Sequence, residues 1–482
     1  MTTLSLLEAA ATGALVALDL GAITLAVWRS RGVERTIAWI LAILAFPVVG
    51  AGSYLLVASP HVSRDTRRKR LATSAVRAML GRGALGASAD YADRCPALPL
   101  AAAISGMAPT ARNQVELLAD DAQAFSRIEG ALREAKHRIY AEYYIIRRDE
   151  TGRRFLAILA ERAKAGVEVR LLYDAVGSMG LDAERLDAVR DAGGHAEAFL
   201  PVNPLARRWS VHLRNHRKLI AIDGAIGFTG GMNVGDEYSG RARLKGSAHF
   251  RDSHVELRGP VVGDLEQVFL EDWAFAKGQP LPPPPLPAKH ATWSAAERRE
   301  GSVVAVVPSG PDQEHNAAAM LYFTGITSAR ERVYLTSPYF VPDEPTVRAL
   351  MSAALRGVDV RVLVPHRCDV ALVGYAARSY YPALLRAGVR LFEYLPSMLH
   401  AKTMVIDSAW AVVGSANLDI RSFRLNFELS TVIADLAFAG RLEARFLRDL
   451  GAAREISPDD VRGRTRLARL RDGVARLLSP LL

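Results

Sequence analysis

Asn215-His216-Arg217-Lys218-Leu219-Ile220-Ala221-Ile222-Asp223 is written a second time in this chain, as Leu399-His400-Ala401-Lys402-Thr403-Met404-Val405-Ile406-Asp407. Each copy is followed at equal spacing by Gly-x-x-Asn, Gly230 to Asn233 and Gly414 to Asn417. The four residues between Lys and Asp, all apolar but Thr403, read as a short buried strand. A His and a Lys two apart on extended chain point to one face. Two copies that also share the distal Gly and Asn read as the halves of one active site.

The repeat reaches well beyond the motif. Arg138 to Ile146 reads as a buried strand, Thr151 to Lys164 as a helix stopped by Gly166, and Val167 to Tyr173 as a returning strand. The same order recurs as Arg332 to Tyr339, a helix ending near Arg356, Gly357, and Val358 to Val364. A-G-V-E-V-R-L-L therefore has its partner in R-G-V-D-V-R-V-L. Duplication of whole α/β units predicts two similar domains, 111–279 and 301–482. Pro280 to Pro287 can hold neither a helix nor a central strand, so 280–300 is expected to be a stiff linker.

Upstream, Ala9 to Trp28 and Ile37 to Val57 are apolar runs of about 20 residues, enough for a hydrocarbon core of about 30 Å. They predict a two-helix transmembrane hairpin over 1–60, with Asp19 turned towards the other helix or near water. A cleaved signal peptide fits poorly, because Glu8 precedes the first run, no basic residue does, and a second run follows. Arg64, Arg67, Arg68, Lys69 and Arg70 outnumber Arg29, Arg31 and Arg35, which predicts a multi-pass protein with its catalytic part on the cytoplasmic side. The segment 61–110 reads as this basic stretch plus a connector rich in Ala, Gly and Ser. Val461 to Leu482 alternates arginines with leucines at helical spacing. It is either a helix lying on a membrane or one docked on its own domain.

The 482 residues are half hydrophobic and carry a formal net charge of +10, which suits a phosphate-bearing partner without choosing which. Cys95 and Cys368 offer no disulfide framework and no zinc cluster. Cys368, like His212, His249, His254 and His366, lacks the paired context of the motif.

Two histidines, two lysines and two asparagines around one phosphorus could displace a phosphodiester in line, with no metal and no cofactor. One neutral His attacks, the opposite protonated His releases the alcohol, and the cations stabilise the oxyanions. Asp223 and Asp407 complete the motif near the strand ends, where structural hydrogen bonding is expected of them before direct catalysis. Each His needs a carboxylate to fix its tautomer. Glu256 in H-V-E-L and Glu428 in N-F-E-L occupy matching contexts and are the candidates.

At these residues the chain resembles the phospholipase D superfamily, whose signature is the doubled motif, and within it the bacterial cardiolipin synthases. Further likeness lies in A-W-I-L-A-I-L-A-F-P-V-V-G, L-L-Y-D-A-V-G-S at 171–178, S-P-Y-F-V-P-D at 337–343, G-S-A-N-L-D-I-R-S-F and the closing L-L-S-P-L-L. The resemblance implies an α/β fold of two phospholipase D-type domains, mixed sheets flanked by helices and related by a pseudo-twofold, behind the membrane hairpin. It carries family roles onto His216, Lys218, Asn233, His400, Lys402 and Asn417, with His216 as nucleophile and His400 as general acid. Gly231 stands where many members have a serine, present here as Ser415, an expected phosphate donor. The implied reaction moves a phosphatidyl group from one phosphatidylglycerol to another, giving cardiolipin and glycerol at a bacterial inner membrane with anionic lipids. A hydrolytic phospholipase D would use the same residues with water as acceptor. A nuclease would explain the charge but not the two apolar runs, so no nucleic-acid partner is expected.

Overall fold

The computed structural model describes residues 3–28, 33–57, 60–80, 95–118, 121–181, 183–201, 213–240, 249–282, 301–313 and 315–477. The chain divides into two units, Met1–Arg67 and Arg68–Leu482. Most of the Pro-rich linker, His212 and the closing L-S-P-L-L lie outside the described residues.

In the first unit the apolar runs form three helices, Thr3–Trp28, Val33–Ala45 and Val49–Val57. They enclose a small core of Ala22, Ala26, Ile43, Ala51 and Tyr54, with Trp39 edge-on to Tyr54 at 5.4 Å. The expected transmembrane hairpin is not there: among the described residues no helix is long and apolar enough to cross a membrane. For the second run the physical reason is Pro47. It divides the second run into helices of 13 and 9 residues, where a span needs about 20. At the break Val48 takes φ 67°, and its N–H donates to Asp19 Oδ1 at 2.9 Å. Asp19 thus meets the other helices as its cost in apolar surroundings predicted, but by capping a chain break.

The second unit holds one long sheet. Its first half contributes β1 (Thr110–Leu118), β2 (Arg138–Tyr143), β3 (Glu168–Asp174), β4 (His195–Phe199), β5 (Arg214–Asn215), β6 (Leu219–Ile222), β7 (Ile226–Gly230), β8 (Phe250–Arg251) and β9 (His254–Arg258). The second half contributes β10 (Ser302–Ser309), β11 (Arg332–Thr336), β12 (Phe340–Val341), β13 (Asp359–Pro365), β14 (Arg390–Tyr394) and β15 (Met398–Leu399). It continues with β16 (Thr403–Ile406), β17 (Trp410–Gly414), β18 (Leu418–Asp419), β19 (Asn426–Ala434) and β20 (Ala453–Glu455). The order β4-β3-β2-β6-β7-β9-β1 meets its image β10-β19-β17-β16-β11-β13-β14 at the antiparallel β1–β10 pair. In each half β2, β3 and β4, or β11, β13 and β14, run parallel, and the motif strand β6 or β16 is antiparallel to them.

Parallel neighbours need a crossover, and the sequence supplies matched helices. Glu150–Lys164 starts under Asp149, which accepts from Gly152 N, and is followed by Gly166 at φ 88°. Glu344–Leu355 starts under Asp343, which accepts from Thr346 N, and is followed by Gly357 at φ 89°. Such left-handed positions favour glycine, which is why both helices stop where the sequence indicated. Each half then buries its own apolar cluster of strand and helix residues.

The expected connector 61–110 is largely helical where described, over Pro60–Leu80 and Ala97–Ser105. The basic cluster is also more than a surface charge run. Lys69 is fully buried and lies 2.7 Å from Asp272 on the helix Val261–Lys277. Arg77 pairs with Glu271 at 2.9 Å on the same helix.

Candidate active site

Two crossed strand pairs build the site. In the first half β5, just before His216, runs parallel to β19 of the second half, and His216 N donates to the Phe427 carbonyl at 2.8 Å. In the second half β15, just before His400, runs parallel to β8 of the first, and His400 N donates to the Arg251 carbonyl at 2.8 Å. Each histidine is therefore positioned by the opposite half.

Its carboxylate comes from there as well. His216 Nδ1 lies 2.9 Å from Glu428 Oε2, and His400 Nδ1 lies 2.6 Å from Asp252 Oδ2. Burial works against ionising Glu428, but His216, Lys218 and the Ser415 hydroxyl outweigh it and hold its pKa below the ordinary value. Burial opposes Asp252 in the same way and loses to Lys402 and His400. An ionised carboxylate can only accept, so Nδ1 of each ring carries the proton and Nε2 is left for a substrate.

The lysines sit against the rings. Lys218 Nζ donates to the His216 carbonyl at 2.6 Å and lies 5.2 Å from the centre of the Tyr144 ring. Lys402 Nζ lies 2.8 and 3.1 Å from the two ring nitrogens of His400 and donates to its carbonyl. Tyr144 packs edge-on to His216, and Tyr238 edge-on to His400. Burial, with help from Lys218 and Lys402 and against Glu428, lowers the His216 pKa to about 4. Burial and Lys402 lower that of His400, and burial brings Lys402 down to about 8. Both imidazoles are thus held on the neutral side. An arriving phosphodiester anion restores charge balance and favours the protonated form of the group that needs it.

The remaining expected residues divide by what they touch. Asn233 Nδ2 donates to the Tyr238 hydroxyl at 2.9 Å, and its Oδ1 accepts from Ile145 N at 3.3 Å. Asn417 is buried, with Oδ1 unpaired. The Ser415 hydroxyl is engaged by protein groups: Oγ donates to Glu428 Oε2 at 2.5 Å and accepts from Leu429 N at 2.9 Å. At the matching position a side chain on Gly231 would run into the Asp252 carboxylate, its Cβ 2.1 Å from Oδ1. The long acid thus pairs with serine and the short acid with glycine. Asp223 accepts from the backbone N–H of Lys136, His137 and Arg138 at 2.7–2.8 Å, and Asp407 from those of Arg330, Glu331 and Arg332 at 2.8–2.9 Å. Both aspartates sit at positive φ and spend their oxygens tying a turn to β2 or β11.

Glu256 is not a histidine partner. It pairs with Arg127 at 2.8 Å and Arg258 at 2.9 Å. It lies four residues beyond Asp252, about 13 Å on extended chain. The strand register explains the error. Gly230 lies opposite His254 and Gly414 opposite Ser430, so the counterpart of Glu428 is Asp252, two residues before His254. Aligning the two Glu-Leu pairs shifts the strand by four residues and hides it.

Sequence reading also missed the support beneath the motif. Arg217 Nε donates to the Glu428 carbonyl at 3.0 Å, and its Nη1 pairs with Asp272, which also holds Lys69. Asn215 N donates to Asp174 Oδ2 at 2.8 Å, and Asn215 Nδ2 donates to buried Glu142. Among the described residues, no group of three or more His, Cys, Asp or Glu side chains could hold a metal ion.

The cardiolipin synthase, PLD-like domain family matches residues 128–273 and 322–450, and the Phospholipase D-nuclease N-terminal family matches 17–58. A cardiolipin synthase of Geobacillus sp. (strain WCH70) is 39% identical over 464 residues, covering 94% of this chain and 90% of the relative. Cardiolipin synthase A of Pseudomonas fluorescens (strain SBW25) is 39% identical over 468 residues, covering 95% of each. A phosphatidylserine synthase structure from Haemophilus influenzae superposes with a TM-score of 0.58 at 16% identity, over 77% of this chain and 95% of that one, a likeness of fold.

Proposed function

Since the chain belongs to the cardiolipin synthase, PLD-like domain family of the phospholipase D superfamily, we propose that it joins two phosphatidylglycerols into cardiolipin and glycerol through a phosphohistidine. The observation that carries this reading is the crossed pair of histidines, each held at Nδ1 by a buried carboxylate of the other half. His216 Nε2 attacks phosphorus as His400 gives its proton to the departing glycerol oxygen. The P–N bond forms as the P–O bond breaks. His400, now neutral, takes the proton of the second phosphatidylglycerol's terminal hydroxyl, and that oxygen displaces His216. Lys218, Lys402, Asn233 and Asn417 steady the phosphoryl oxygens. One phosphodiester replaces another, so the exchange calls for no outside energy source.

The apolar N-terminal unit suits a bilayer enzyme: Leu20, Leu41, Leu44, Phe46 and Val49 are exposed, and we place this unit in contact with the membrane.

A donor with a good leaving group, such as phosphatidyl-p-nitrophenol, tests the roles. His400→Ala should still load the enzyme and leave a persistent adduct on His216, and His216→Ala should form none. Phosphate mapped to His400 would reverse the assignment. With unmodified enzyme on phosphatidylglycerol vesicles, cardiolipin plus glycerol is expected, and phosphatidic acid as the main product would point to hydrolysis.

A further inference from the structure

The helix Arg466–Leu477 is inside out. A surface helix ordinarily turns its apolar stripe to the core. This one docks through its polar side: Asp472 and Ala475 are buried, and Asp472 pairs with Arg464 at 2.6 Å. The Arg471 and Arg476 guanidiniums lie 3.7 and 4.5 Å from the ring centres of Tyr375 and Tyr380. The stripe Leu467, Leu470, Val474 and Leu477 points outward, 50–78% exposed. At 100° per residue these four share one side of the helix, with Arg466 and Arg471 along its two borders.

Its place on the sheet gives this reversal a meaning. The helix packs on Ala371–Arg378, which follows the carboxyl end of β13. Those carboxyl ends are where the site lies. Tyr144, after β2, contacts His216, and Asp174, ending β3, holds Asn215. Asp369, after β13, binds the Tyr339 hydroxyl at 3.0 Å, and its charge reaches Lys402. The segments leaving the same ends also expose apolar side chains: Met179 after β3, Val370 and the helix residue Leu372 after β13, and Leu395 after β14.

Resting on the lipid reaction proposed above, we infer that this face, the outward stripe of Arg466–Leu477 with the loops at the strand carboxyl ends, lies on an anionic bilayer and sets the site mouth against it. Leucines enter the interface while Arg466 on the open border reaches the lipid phosphates, Arg471 being held on Tyr375. A phosphatidylglycerol headgroup then passes from the bilayer to the histidines without its acyl chains crossing water.

Depth measurement on the full chain tests this. An NBD fluorophore is placed on Val474→Cys or on Leu355→Cys, and the enzyme is bound to phosphatidylglycerol–phosphatidylcholine vesicles carrying a doxyl-lipid quencher. Leu355 is an exposed leucine just before the amino end of β13. Labelling of Cys95 and Cys368 is subtracted using the unsubstituted protein. Quenching at 474 should exceed that at 355 at least fivefold and grow with the phosphatidylglycerol fraction. Equal quenching at both sites, or none at 474 on bound enzyme, overturns the proposal. Leu470→Gln/Val474→Gln should lower the ratio of vesicle turnover to short-chain dispersed turnover about tenfold, and a change under twofold also overturns it. The depth reading needs no turnover, so failure of the transfer reaction would show separately, in the products.

Discussion

Changing Asp252 to asparagine keeps the shape of the side chain and removes its charge from His400. The bond it deprives of its charge, and of a partner whose every oxygen accepts, is a buried one of 2.6 Å. Bonds of that kind contribute about 1.5–3 kcal/mol. At about 1.4 kcal/mol per tenfold, turnover should fall about ten- to 150-fold. The sign of the pH effect follows from the charges. Asp252 raises the His400 pKa against burial and Lys402. Without it the protonated acid survives only at lower pH, so the alkaline limb of kcat should move downward and the deficit should be larger at pH 8 than at pH 6. Stability has its own sign. The folded pKa of Asp252 is depressed, so its contribution is present above the unfolded value of about 3.9 and is lost as pH falls through the folded one. The melting gap between wild type and variant should therefore narrow in acid. The assay is a pH–rate profile on detergent-dispersed phosphatidylglycerol, with circular dichroism melts beside it. Glu256→Gln serves as comparison and should stay within about twofold, because its partners are half-exposed arginines. If Asp252→Asn kept activity within threefold with an unmoved limb, the carboxylate–histidine reasoning would be wrong.

Mild acid should loosen the fold, because burial lowers His216 and His254 to about 4 and neither ring nitrogen of His254 has a hydrogen-bond partner. The unfolded chain, with histidines near 6.5, binds more protons between those values. Each histidine should therefore cost about 1.5 kcal/mol on going from pH 6.5 to 5. His254→Ser, copying Ser430 across the pseudo-twofold, should remove one share, and urea midpoints showing an unchanged pH slope would contradict this. Asp272→Asn, which strands both Lys69 and Arg217, should destabilise by about 3–5 kcal/mol; Lys69→Met should cost less because Arg217 still faces Asp272, and the two together should be clearly less than additive. Strict additivity in denaturant titrations would mean that the pair is not coupled. Chelation by EDTA should leave turnover of dispersed substrate unchanged, and a requirement for added Mg²⁺ at the chemical step would overturn the two-histidine scheme.

Local pattern carried the reading of the α/β units, because the apolar strands, aspartate caps and stop glycines are each written within a few residues. Glu428 was legible for the same reason, lying in the same context as its strand. Asp252 was not, because its role depends on which residue faces Gly230 across β7 and β9, and register is a property of two strands. Lys69 looked like one charge among five, and only tertiary packing sets it against Asp272, some 200 residues on. The apolar N-terminal runs were read by length, which ignores what one proline does to a helix. The face of Arg466–Leu477 was open for a related reason: spacing shows a stripe but not whether it turns in or out.

The crossed strand pairs also bear on when this enzyme becomes active. His216 leaves the ribosome 212 residues ahead of Glu428. At about 5–20 residues per second, that is some 10–40 s of synthesis. Through that interval the first half has its histidine and lysine but neither the strand that fixes the ring nor the carboxylate that sets its tautomer. His400 meets the reverse situation, since Asp252 has been waiting for it. On the roles proposed above, His216 is thus armed only after almost the whole chain has been made, and a product truncated before Glu428 should leave lipids intact.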